Sequence, residues 1–125
     1  MTKELMEMVL PRLAQRLNRH LRRYREGQLD DAEFSTKFET LLQQQYSWLA
    51  HRGIPEVEAA FAIHSAVLVL SGPGLRAEAI EEGIPLEIIE FRAAQCAAAD
   101  ISQNYRVSER GALRRICTLV ALFAK

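Results

Sequence analysis

Six arginines stand between positions 12 and 25 with no acidic residue among them. Arg12, Arg16, Arg19 and Arg23 follow one another at steps of four, three and four, which on a helix sets them in one line. Arg22 and Arg25 flank that line. The guanidinium group is planar, always charged and able to grip a carboxylate or a phosphate with two parallel hydrogen bonds. A row of them is therefore a candidate binding strip for an acidic partner or a phosphate. The plainer alternative is a solvated face, or one neutralised internally by Glu78, Glu81 and Glu82.

A second basic cluster comprises Arg106, Arg110, Arg114 and Arg115. With Ile101 to Ser108 before it, the cluster has the outline of a DNA-reading helix-turn-helix. It departs from that pattern by carrying Arg106 where a glycine would make the turn, and Gly111 inside the reading helix. An earlier segment, Ala79 to Ile84 with Ile89 following, has the same outline but puts Glu87 and Glu90 where phosphates would lie.

Other chemistry is sparse. His20, His51 and His64 are scattered, and no pair has the spacing of a metal-binding helix face. His64 lies in an apolar run and is the candidate functional core histidine. Cys96 and Cys117 each sit among apolar residues and read as small buried side chains. The turn from Gly27 to Phe34 resembles the end of a calcium loop, but Arg22 and Tyr24 occupy positions that should supply oxygen ligands. The same turn resembles the helix-turn-helix hairpin of small bacterial oligomerisation modules of the SHOCT type, a likeness that helix capping accounts for. Ser71-Gly72-Pro73-Gly74, with Arg76 after it, offers a helix start for an anion or simply ends a helix. No catalytic residue, metal or cofactor is expected from these patterns.

The elements that must position these groups are helices. The chain has only four prolines and six glycines, and no sustained alternation of apolar and polar residues. The first helix spans about Thr2 to Glu26, with Leu10, Leu13, Ala14, Leu17, Leu21 and Tyr24 as its apolar face. Gly27 ends it, and Asp30 with Glu33 forms a capping box for the next, stapled by Leu29 and Phe34. Gly53-Ile54-Pro55 and Gly83-Ile84-Pro85 repeat one stop-and-start device, each followed by a phenylalanine at the same offset, Phe61 and Phe91. Helix 3, Pro55 to Leu70, is apolar nearly all round and should be central. A short helix follows from Leu75 to Glu82, then Pro85 to Asn104 and Ser108 to Ala124. The expected architecture is an all-α, compact bundle of five or six helices in one domain, residues 1–125, with residues 1–52 as an N-terminal antiparallel helical hairpin and 53–125 closing the core.

Sixteen basic and sixteen acidic residues give a formal net charge of zero, which argues against a wholly basic nucleic-acid protein. The zero is unevenly built. Residues 1–26 and 91–125 are basic, and residues 27–90 are acidic. No apolar run is long enough to cross a bilayer and no secretory signal opens the chain, so a cytoplasmic protein without a membrane role is expected. The absence of a catalytic cluster, the apolar end of helix 6 and the alanine-rich face of helix 5 point to an interaction or adaptor module whose partner is another protein or itself as a homodimer. The alternatives are a nucleic-acid-binding regulator using either arginine cluster, and a ligand-binding or enzymatic domain around His64.

Overall fold

The structure is a computed structural model that describes residues 2–124. Six helices and no strand occur among the described residues, and they pack as an all-α bundle. α1 (Thr2–Arg25) runs the length of the molecule and contains Pro11. The proline is tolerated because it is exposed, so the carbonyl it leaves without a partner faces water.

The turn after α1 follows from local chemistry. Gly27 takes a positive φ of 75°, which a side chain would resist. That bend lets Gln28 N–H donate to the Arg23 carbonyl at 2.8 Å and Gly27 N–H to that of Tyr24 at 3.1 Å. α2 (Asp31–Ala50) then opens on the expected capping box, with Glu33 N–H donating to Asp30 at 2.7 Å and Asp30 N–H to Glu33 at 3.1 Å. Leu29 is buried beneath the turn, and the Tyr24 and Phe34 rings lie 5.0 Å apart across it. α1 and α2 form the antiparallel hairpin.

α3 (Glu56–Leu70) packs against all five other helices. Ala59, Ala60, Ala62 and Ala66 are buried on it, and these small side chains let its neighbours approach closely. Pro55 and Pro85 act as the N-cap residues of α3 and of α5 (Leu86–Asn104), one position earlier than a first-turn proline. α4 (Gly72–Glu82) begins directly after Ser71, where a longer break was expected. Pro73 falls in its first turn, where the missing N–H has no helical partner to lose. α6 (Glu109–Phe123) is capped by Ser108, whose Oγ accepts from Gly111 N–H at 3.0 Å. A Cβ on Gly111 would stand 2.9 Å from that Oγ, so a side chain there would press on the cap.

Two expectations about faces need correction. α1 buries Leu5, Met6, Val9, Leu13 and Leu17, while Leu10, Ala14 and Leu21 are half-buried and Tyr24 is exposed, because the bundle covers the first half of the helix most closely. Cys96 and Cys117 are exposed rather than buried. The inward positions of α5 and α6 are Ala97, Ala98, Ile101, Ala112, Ile116 and Leu119, and the cysteines fall between them. The apolar end of α6 is partly covered by the bundle, with Ala121 and Leu122 left exposed.

Among the described residues no single helix is long and apolar enough to cross a membrane. α3 and α4 reach that length together, but they are bent by 54° and α3 is the core helix.

Candidate anion-binding seam

Three members of the arginine line of α1, Arg12, Arg16 and Arg19, border a groove. α2 forms a second wall beside it, and the hairpin leaves two adjoining hollows along the seam. One, of about 410 Å³, is lined by Arg16, Arg19 and His20 of α1 with Thr36, Lys37, Thr40, Leu41 and Gln44 of α2. The other is lined by Arg12 and Arg16 with Thr40, Gln43, Gln44, Ser47, Trp48 and His51. They share Arg16, Thr40 and Gln44, so the seam is continuous. No acidic residue lines either hollow.

The seam's charge is uncompensated. Among the described residues, Arg16, Arg19, Arg22, Arg23, Arg25 and Lys37 take part in no ion pair, and the anticipated neutralisation by Glu78, Glu81 and Glu82 does not occur. α4 packs mainly on α5 and leaves those glutamates exposed away from the seam. Arg12 is the held member. Its Nε donates to Gln45 Oε1 at 3.2 Å and its guanidinium lies 4.0 Å from the Trp48 ring centre. Arg52 lies 4.2 Å from the same ring. Burial, then the nearby Arg16 and Arg52 charges, push the Arg12 pKa down.

The other arginines divide. Arg23 adjoins His20, and its charge is one of those acting on that ring. Arg22 and Arg25 line a separate groove between the end of α1, Phe34 and Phe38 of α2, and the α3–α4 junction. Sequence reasoning missed the second wall. Lys37, Thr40, Gln44 and Trp48 recur at helical spacing on α2, and an antiparallel hairpin had to bring that stripe against α1.

Of the α6 cluster, Arg106, Arg110 and Arg114 are exposed. Arg115 is turned inward and is not free for a phosphate. It pairs with Glu58 at 2.5 Å, donates to the Thr2 hydroxyl and lies over the Phe61 ring at 4.1 Å. Thr2 in turn donates to Glu58 at 2.5 Å, so one polar knot joins α1, α3 and α6.

His64 is half-buried, with Nε2 3.1 Å from Asp100 Oδ2 on α5. Burial lowers its pKa, and Asp100 only partly opposes that. Nearby, the Tyr105 hydroxyl donates to Glu56 at 3.0 Å, and burial together with this carboxylate pushes its pKa up to about 12. Tyr46 is raised further, first by burial. Both phenols therefore stay protonated at neutral pH. The His64–Asp100 pair holds α3 against α5, and among the described residues no serine or cysteine hydrogen-bonds to it. No three His, Cys, Asp or Glu among the described residues come together in a way that could hold a metal ion.

An apolar groove lies between α5, α6 and the α3–α4 junction. Leu68, Leu75, Phe91, Ala94, Cys117 and Val120 line about 310 Å³ there, beside Glu87 and Glu90.

Comparison with protein-family models, curated proteins and solved structures finds no match for this chain. What is defined is an architecture, a six-helix all-α bundle, and within it a basic seam between the first two helices.

Proposed function

We propose that the chain is a binding module, and that its working surface is the seam between α1 and α2, which takes an acidic protein partner. The observation that carries this reading is the set of unpaired cations, Arg16, Arg19 and Lys37, lining a two-walled groove without an acid. A surface whose own charges repel one another gains when an external anion arrives. An acidic protein segment is favoured over a nucleic acid for two reasons. The Trp48 ring is already covered by Arg12 and Arg52, so it is not a free platform for a base. The exposed acidic block of α4 and the start of α5 would also repel a long polyanion that ran beyond the seam.

The test is fluorescence anisotropy with a labelled glutamate-rich peptide across a salt series. Binding should weaken as salt rises, and the double variant Arg16→Glu/Arg19→Glu should lose it while keeping its helical circular dichroism. No binding at low salt removes the reading. A labelled single-stranded oligonucleotide in the same assay tests the nucleic-acid alternative, for which the exposed Arg106, Arg110 and Arg114 provide further cations. Tighter binding of the oligonucleotide than of the peptide would reassign the seam to that partner.

Self-association is the second part of the reading. It is supported by the apolar groove around Phe91, which is 49% exposed. Light scattering at tens of micromolar decides it, since a monomer there rules out a stable dimer. A cytoplasmic location is proposed with it, because two free, exposed thiols suit a reducing compartment.

A further inference from the structure

His20 is the least explained polar group on the seam. Its Nδ1 is buried and has no hydrogen-bond partner. His20 lines the 410 Å³ hollow, and with Nδ1 buried Nε2 is the nitrogen left to meet whatever enters. A buried N–H without an acceptor is costly, so the favoured neutral tautomer carries its proton on Nε2 and leaves a bare lone pair at Nδ1. Burial, followed by the charges of Lys37, Arg23 and Arg19, holds the ring neutral. The hollow thus presents an N–H donor on His20, guanidinium donors on Arg16 and Arg19, and the Lys37 ammonium from the opposite wall. Thr36 and Thr40 donate their hydroxyl protons to the carbonyls of Ala32 and Thr36, so they are not donors to a ligand.

We propose that this hollow is a binding site for a phosphate monoester, with Arg16, Arg19 and Lys37 neutralising the dianion and His20 Nε2 donating to it. The inference rests on the seam being a binding surface and names its ligand chemistry. A phosphate monoester is preferred to a single carboxylate for two physical reasons. The donors come from two facing helices rather than one plane, which suits a tetrahedral group. Three unpaired cations also exceed what one carboxylate neutralises, whereas a monoester carries about −1.5 to −2 at neutral pH.

The experiment is NMR of the His20 imidazole, assigned with His20→Gln, during titration with inorganic phosphate at low ionic strength. Phosphate should move the His20 signals saturably and raise the His20 pKa, because the arriving anion offsets the repulsion from Lys37, Arg23 and Arg19. Arg19→Gln and Lys37→Gln should each weaken phosphate binding about tenfold. Arg92→Gln, on the exposed side of α5, should leave it unchanged. Two further arms separate the sources of the phosphate. A phosphoserine peptide that binds more tightly than inorganic phosphate assigns the group to a protein chain, and equal binding assigns it to a small ester. If the glutamate-rich peptide binds the seam while phosphate leaves His20 unmoved, the phosphate site is overturned and the binding seam survives. If neither binds, both fall. Equal weakening by Arg92→Gln and Lys37→Gln would also overturn it, as it would show only diffuse charge attraction.

Discussion

Gln45 is fully buried, yet its Nε2 has no hydrogen-bond partner and its Oε1 serves only to hold Arg12. An unpaired buried amide N–H costs stability, and a leucine of similar volume removes that cost. Gln45→Leu is expected to stabilise the protein by about 1 kcal/mol in thermal or urea unfolding, and to loosen Arg12 on the seam. Loss of stability instead would mean that the Arg12 contact outweighs the orphaned donor. Asp30 is the opposite case, a group whose role is wholly local. Asp30→Ala should cost about 1 kcal/mol in the same assay by opening the capping box. That contrast explains what was readable beforehand. Asp30, Glu33, Gly27 and Ser108 act on backbone groups within three or four residues, so their roles are written in adjacent letters. Gln45 acts on a residue 33 positions away, and its letter alone says nothing of that.

Phe61 and Phe91 occupy the same place in the two Gly-Ile-Pro helix starts, but Phe61 is 1% exposed and Phe91 49%. Identical local chemistry begins α3 and α5 in the same way. Only the order in which helices stack decides that α3 is surrounded and α5 is an outer layer. The same limit hid the orientation of Cys96 and Cys117, and it left the inward turn of Arg115 unreadable. Both thiols should therefore react with a disulfide reagent in the native protein without denaturant, and a thiol that reacts only after unfolding would contradict the outward faces of α5 and α6. The knot of Thr2, Glu58 and Arg115 ties α6 to α1 and α3. Arg115→Ala removes its hydrogen bonds and its packing on Phe61, and should cost about 1–2 kcal/mol in unfolding experiments. The seam was half legible for a related reason. Its α1 wall is a line of arginines that stands out in the sequence, while its α2 wall is an ordinary mixture of threonine, glutamine and lysine that matters only once the hairpin closes.

The charged groups of the bundle combine into one response to acid. His20 and His64 both have pKa values below the ordinary 6.5, chiefly through burial, so the unfolded chain takes up protons before the folded one does. Stability must then rise with pH through that region, and fall as pH drops below about 6.5. Glu58 acts lower down. Burial opposes its ionisation, but Thr2 and Arg115 outweigh that and hold its pKa below 4.5. Its contribution is present above 4.5 and is lost as pH falls through its folded value. Urea midpoints measured from pH 8 to pH 3 should be flat at first, decline below about 6.5 and decline again below about 4.5. His64→Gln should flatten part of the upper decline, and an unchanged profile would remove His64 from this account.

The knot has a further consequence, for the order in which the chain is made. Thr2 lies 113 positions before Arg115 and 56 before Glu58. At ordinary rates of synthesis, Arg115 follows Thr2 by on the order of ten seconds. During that interval α1 and α2 can close on their turn and α3 can emerge, but Glu58 still lacks the Arg115 guanidinium. A ribosome-bound chain halted before α6 should therefore be cleaved by protease more readily than one halted after it. Completion of the bundle waits on a residue of α6.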